Sequence, residues 1–204
     1  MSIVETFDAI VKKHFRVKND DNLPICAARQ RSTGIHERES LARVLFDMKC
    51  LNVVEIGVAA GKSSEFWIKS NPDMKLTCID PWAAKRRKGI RQHNARYERA
   101  IELLTPYKNI TILRQRSLDA IDRFEDESLD FVHVDGNHTF DHCVTDMVHW
   151  NHKLKTGGIM AVHDYCSLQW SGVIKAVDGF THCHNINPWY VTRSITPTAF
   201  WIKP

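Results

Sequence analysis

Short apolar runs alternating with helix-length amphipathic stretches constrain this chain more than any other feature of its sequence. LNVVEIG, KLTCID, NITILRQ, SLDFVHVD and GGIMAVHD each have the length of a strand. Between them fall helical patterns: one from Gly61, one around Ala95 to Leu104, and one carrying Phe140, Val144, Met147, Val148 and Leu154. A last pattern runs through Val173, Ile174, Val177 and Phe180. Strands joined by crossovers of that length lie parallel, with helices on both faces. The expected fold is therefore α/β, a doubly wound and mostly parallel sheet. Ahead of it stand an amphipathic helix with Ile3, Phe7, Ile10, Val11 and Phe15 on one face, a polar stretch from Lys18 to Glu37, and a helix around Arg38 to Lys49. That second helix should bury Leu41, Val44, Leu45 and Met48. Behind it NPWYVTRS and TAFWIKP are joined by a link too short for a crossover, which predicts an antiparallel pair at one sheet edge. With no repeat or linker, 1–204 reads as a single domain, with 1–37 as an N-terminal helix and polar cover and 38–204 as the core.

Composition adds boundaries. A chain of 204 residues, 43% hydrophobic, can bury a core without metal or disulfide staples. Its six cysteines contain no CxxC pair, which argues against a zinc ribbon or a secreted disulfide framework. No apolar run has the length of a membrane span, and the N-terminus lacks the order of a signal peptide, so a cytoplasmic protein is expected. The net charge of +4 neither demands nor forbids an anionic partner.

Open α/β sheets bind ligands beyond the carboxyl ends of their strands. The first of these strands ends in Glu55-Ile-Gly57-Val-Ala59-Ala-Gly61-Lys62-Ser63-Ser64, a glycine-bearing turn that opens a helix. The next ends in Asp80, nineteen positions after Gly61, the interval of an acid that grips ribose hydroxyls. Turn and acid together point to an adenosine ligand. Ala59 replaces the glycine that a pyrophosphate approach requires, so S-adenosylmethionine is favoured over NAD. Glu55 would repel a diphosphate, but it could order the turn or accept from a cationic amino-acid moiety. The fourth and fifth strands end in Asp135-Gly136-Asn137-His138 and His163-Asp164-Tyr165. Two carboxylates converging at one spot repel unless a cation or a shared proton intervenes, and a divalent metal is the economical answer. The plainer alternative is that Asp135 caps the following helix or meets the cofactor directly.

The ordered set VVEIGVAAGKSS, LTCIDPW, LDFVHVDGNHTF and KTGGIMAVHDY resembles a class I S-adenosylmethionine-dependent methyltransferase with a Rossmann-like fold, in particular the branch of macrocin and mycinamicin sugar O-methyltransferases. The resemblance spans about residues 50 to 180. It implies that Glu55, Gly57 and Gly61 contact the methionine moiety and Asp80 the ribose, with Trp82 and Ser117 near the adenine; Ala59, Ser63 and Asp135 complete the expected cofactor set. It also implies Asp135 and Asp164 as metal ligands and His138 as the catalytic base. Two departures stand out: Arg116 where many relatives carry an acid that reads adenine, and His163 where they carry an acid. With His163 in the ligand set, preference shifts from Mg²⁺ toward Mn²⁺ or softer ions. His133 reads as a satisfied buried group. His142, His149, His152, His182 and His184 carry no assigned function.

The expected activity is thus metal-assisted O-methylation of a hydroxyl on a sugar or glycosylated small molecule, with a small-molecule or glycan acceptor as partner, no membrane, and an oligomer neither required nor excluded. Two other functions compete. The basic run Lys85, Arg86, Arg87, Lys88, Arg91 and Arg96, read as a mobile segment that Arg29 and Arg31 could join, would serve a nucleic-acid methyltransferase. The small net charge and the lack of an RNA-binding appendage weigh against it. A cofactor-binding subunit without catalysis would not need two acids and two histidines at its strand ends.

Overall fold

The computed structural model describes residues 1–17, 24–29, 37–84, 87–166 and 171–204. Helix α1 (Ile3–His14) opens on a capping box, in which Ser2 accepts from the Glu5 N–H and the Glu5 carboxylate accepts from the Ser2 N–H. Two short strands, β1 (Phe15–Val17) and β2 (Ile25–Arg29), precede α2 (Glu37–Asp47). The alternation then runs β3 (Asn52–Ile56), α3 (Lys62–Ser70), β4 (Lys75–Ile79), α4 (Arg87–Leu104), β5 (Ile110–Leu113), α5 (Ser117–Ala120), β6 (Leu129–Val134), α6 (Phe140–Lys153), β7 (Leu154–Val162) and α7 (Ser171–Cys183). Strands β8 (Trp189–Thr192) and β9 (Ala199–Ile202) follow.

The nine strands of the described residues join one sheet in the order β1-β2-β8-β9-β7-β6-β3-β4-β5. Pairing is parallel from β7 through β6, β3 and β4 to β5, as the helical crossovers require. The expected antiparallel pair forms between β8 and β9. The sheet continues beyond it, because β2 pairs in parallel with β8 and β1 antiparallel with β2. The stretch read as polar cover therefore contributes β2, which at five residues is too short to show a periodic signal, and Phe15, expected on the face of the opening helix, lies in β1 beyond the end of α1 at His14.

Each face of the sheet carries its own core. Phe7, Leu41, Leu45, Trp67 and Leu104 from α1 to α4 cover Val53, Phe131 and Ala161 on one face. On the other, Met147, Trp150, Val173 and Val177 of α6 and α7 cover Val54, Val132 and Met160. Alternating residues of each central strand thus go to opposite layers. The strand order reverses between β3 and β6, which opens the crevice where such sheets bind ligands.

One element differs in extent from expectation. Helix α4 begins at Arg87 and not near Ala95, so most of the segment taken for a mobile loop is helical. Only Ala100 and Leu104 of α4 are buried, and its first two turns therefore carry no apolar stripe for a periodicity argument to find. Arg87, Lys88, Arg91 and Arg96 are exposed on it; Arg31, Lys85 and Arg86 lie outside the described residues, as does the side chain of Arg29. No helix among the described residues is long and apolar enough to cross a membrane.

Candidate active site

The turn from β3 to α3 is built on left-handed backbone. Gly57 has φ +88°, Ala59 +48° and Gly61 +80°. At Gly57 a side chain is excluded, since a Cβ would lie 2.0 Å from the Asp135 carbonyl oxygen across the crevice. Asp80 fixes the other wall. Its Oδ2 accepts from the Ala59 N–H at 3.0 Å and its Oδ1 from the Trp82 N–H at 2.7 Å, which leaves each oxygen a second lone pair. A half-buried carboxylate at the mouth of a glycine turn fits a ribose diol, and the residues present are compatible with an adenosine cofactor.

Two members of the expected cofactor set act behind this surface. Trp82 is 1% exposed; its indole N–H donates to the Ala59 carbonyl at 2.7 Å and its ring packs on Tyr97. It braces the turn and presents no free ring face to adenine. Glu55 is wholly buried, accepting from the Ser64 hydroxyl and lying 3.0 Å from His133 Nδ1. Strand alternation aims it into the layer of α3, so direct contact with a methionine moiety is corrected to ordering the turn, the other role its chemistry allowed. His133, at 2% exposure, is the satisfied buried group it was taken for. Ser63 and Ser117 are half-buried. Ser117 donates to Asp146, an acid of α6 that the sequence reading passed over. Burial pushes the Asp146 carboxyl up, against the Ser117 hydrogen bond. It occupies the inward stripe beside Cys143, Met147 and Trp150, and an acid in such a stripe was the available signal.

The ends of β6 and β7 bring the remaining residues together. Asp135, His138 and Asp164 can each offer a ligand atom within 4.8 Å of the other two. His138 Nε2 lies 3.0 Å from Asp164 Oδ2 and 3.7 Å from Asp135 Oδ1. His163 Nδ1 lies 3.3 Å from Asp135 Oδ1 and 3.4 Å from Asp164 Oδ1. Asp164 is held at φ +59°, an uncommon conformation for a non-glycine residue and one that recurs at functional sites. Asp135 does not cap α6, whose N-cap is Thr139. Burial pushes the Asp135 carboxyl up, but contacts with His138 and His163 and the nearby His133 outweigh it and hold it well below the usual carboxylate range. For His163, burial disfavours the charged imidazole, yet Asp135 and Asp164 raise its pKa overall. Two carboxylates are donors for a divalent ion, and the imidazoles beside them shift the preference from Mg²⁺ toward Mn²⁺ and softer ions.

A family profile described as "Methyltransferase domain" matches residues 54–165, just over half of the chain and all of the crevice. A curated relative, "Uncharacterized protein y4gI" of Sinorhizobium fredii (strain NBRC 101917 / NGR234), is 27% identical over 125 residues, covering 55% of this chain. The match spans only 13% of that relative's length. Among solved structures, the O-methyltransferase NovP is similar at a TM-score of 0.59 and 14% identity, over 81% of this chain and 77% of that one. The spermidine synthase of Thermotoga maritima is similar at 0.54 and 13%, over 76% and 54%. A Klebsiella pneumoniae protein assigned as an O-methyltransferase is similar at 0.60 and 12%, over 100% and 91%. At these identities the likeness is one of fold, shared by proteins with different acceptors.

Proposed function

The chain belongs to the methyltransferase-domain family, and on that premise we propose that it transfers the methyl group of S-adenosylmethionine to a hydroxyl of a sugar or glycosylated small molecule, assisted by a divalent cation. The observation that carries this reading is the convergence of Asp135, His138, Asp164 and His163 beside the cofactor crevice, where methyl transfer alone calls for no cation site. Asp135 and Asp164 would hold the ion. When bound, a divalent ion lowers the pKa of a coordinated hydroxyl and fixes its lone pair.

The protein's own residues supply position and base. Gly57 to Ser63 and Asp80 seat the cofactor. His138 accepts the hydroxyl proton as the oxygen's electron pair forms the new C–O bond, while the C–S bond breaks and its electron pair stays on sulfur. That removal is the step a neutral alcohol needs, since the sulfonium methyl is already electrophilic. The six unpaired cysteines are consistent with a reducing, cytoplasmic setting for what we read as one methyltransferase domain.

A second assignment of roles is favoured by one observation: His138 completes the set with ligand-capable geometry, while His163 faces a neighbouring cavity. In that version His163 is the base. The test is turnover to S-adenosylhomocysteine against nucleotide-sugars, glycans and catechols, with and without EDTA, followed by pH-rate profiles of His138→Ala and His163→Ala. Removal of the base should lower kcat by about 10²–10⁴-fold and erase the acidic limb of the profile. Full turnover in excess EDTA would defeat the cation reading. Tight, steeply salt-dependent binding of RNA or DNA would favour the basic helix α4 as a nucleic-acid surface instead.

A further inference from the structure

A cavity of about 140 Å³ opens beside the carboxylate pair, with residues of α2 and of the β8–β9 connection in its wall. Its volume is close to that of an interior cavity of about 150 Å³ that takes up one benzene molecule, so it has room for a single six-membered ring. Of the four residues that converge at the ends of β6 and β7, His163 alone belongs to the described lining. The cavity therefore meets the two aspartates through that imidazole, which stands 3.3 Å from Asp135 and 3.4 Å from Asp164.

The wall carries one charge of each sign. Glu37 and Arg38, consecutive in the first turn of α2, place a carboxylate and a guanidinium there, and neither forms a salt bridge among the described residues. Their formal charges cancel, so an anionic ligand meets Glu37 and a cationic ligand meets Arg38. The rest of the polar lining is mainly hydroxyl. Thr192 is buried and engaged, its Oγ1 accepting from the Thr198 N–H at 2.8 Å, which fixes the β8–β9 connection at this wall. Ser194 and Thr196 are exposed, and Thr196 makes no hydrogen bond within the protein among the described residues, so a hydroxyl that both donates and accepts is open to a ligand. Leu41, 2% exposed, adds an apolar patch. Apolar surface, free hydroxyls and cancelled charge together suit a ring with a C–H face and several O–H groups.

We propose that this cavity holds the ring of the acceptor and selects an uncharged, polyhydroxylated one, with Ser194 and Thr196 hydrogen-bonded to ring hydroxyls and with Glu37 and Arg38 together excluding charged rings. The inference rests on the methyltransferase reading for its purpose, though not for its binding test. Within the class of sugar acceptors it divides neutral hexoses from uronic acids and amino sugars, and it assigns that choice to the start of α2 and the β8–β9 connection.

The probes are methyl β-D-glucopyranoside, D-glucuronate and D-glucosamine, rings of one size that are neutral, anionic and cationic at about pH 6.5. Affinities would be measured by calorimetry and saturation-transfer NMR on the intact chain with S-adenosylhomocysteine and EDTA present. The neutral ring should bind at least about fivefold more tightly than either charged one. Glu37→Gln leaves Arg38 alone and should raise glucuronate to at least the affinity of the neutral ring; Arg38→Gln should do the same for glucosamine, and neither exchange should help the opposite charge. A merely structural defect would move all three affinities together, so these opposite responses are specific to the charge pair. Thr196→Val, which keeps the shape and deletes the hydroxyl, should weaken the neutral ring by about three- to tenfold. Asp164→Asn should abolish cation-dependent turnover and leave the ranking of the three rings intact, so the failure of the catalytic reading and the failure of this one look different. A charged ring held by the unaltered protein as tightly as the neutral one, binding of none of the three, or folded Glu37→Gln and Arg38→Gln proteins with an unchanged ranking would each overturn the proposal.

Discussion

Replacing Gly57 by alanine tests whether the crevice is held by backbone approach. The new Cβ would stand 2.0 Å from the Asp135 oxygen, and real Cβ contacts essentially never fall below 3.0 Å, so the two strand ends must part by about 1 Å. The atoms in the way are backbone, and no rotamer change relieves them. A φ of +88° on a residue with a side chain costs roughly 1–3 kcal/mol. Parting the strands also strains the bonds from Gly57 N–H to the Ile79 carbonyl and from Asp135 N–H to the Ile56 carbonyl, both 2.8 Å and worth about 1 kcal/mol each. The sum is roughly 3–5 kcal/mol, which for a chain of this length lowers Tm by roughly 6–20 °C. Urea denaturation gives the first quantity and calorimetry with S-adenosylhomocysteine shows whether the cofactor site goes with it. The control is Gly179→Ala in α7, where an added Cβ meets nothing within 4 Å and an exposed helix interior gains about 0.5–1 kcal/mol. A Gly57→Ala protein within about 2 °C of wild type, with undiminished cofactor-product affinity, would refute the reasoning.

Three other substitutions probe the site's support. Asp80→Ala removes the acceptor for both the Ala59 and Trp82 amides as well as the proposed ribose contact, and should weaken S-adenosylhomocysteine by at least about tenfold; equal titration curves for the two proteins would contradict this. His133→Ala leaves Glu55 buried with Ser64 alone and should cost about 1–3 kcal/mol in urea denaturation for the lost hydrogen bond; a loss under about 1 kcal/mol would mean that the contact does not matter to stability. Asp146→Asn keeps an acceptor for Ser117 and removes a buried charge. Because the folded pKa of Asp146 is raised, its contribution is favourable below the unfolded value and is lost as pH rises through the folded one. The Asn variant should therefore melt higher than wild type at pH 7, with the gain shrinking toward acid pH; a lower Tm at pH 7 would reverse the sign of the argument.

The parts of this protein legible in its sequence are those where one periodicity dominates. Strands β3, β4, β6 and β7 are continuous apolar runs because both sheet faces are covered, and their polar closing residues mark the crevice without further information. What escaped depends on direction and not on position. Glu55 reads as a ligand at the end of a strand, yet it shares a face with Val53 and faces inward, and nothing local distinguishes an acid aimed at a cofactor from one paired with His133 across the sheet. Trp82 is similar: its place after Asp80 was plain, but only the tertiary fold shows its indole turned onto Ala59. The start of α4 was lost because an exposed helix of Arg, Lys and Gln has propensity without pattern. The cavity beside His163 was beyond reach, since its walls come from residues 38, 67 and 192–198, which no spacing rule connects.

The position of β9 divides the sheet mechanically. Among the described residues, strands β1, β2 and β8 are hydrogen-bonded to the other strands through β9 alone, which pairs three of its residues with β8 on one edge and all four with β7 on the other. The sheet is continuous in hydrogen bonds but has a seam one strand wide. The cofactor crevice between β3 and β6 lies wholly to one side of it. The cavity lies across it, with His163 carried by the β7 end and Thr192 by the β8 end. A small rotation about the seam would alter the width of the cavity while leaving the Gly57 turn and Asp80 undisturbed.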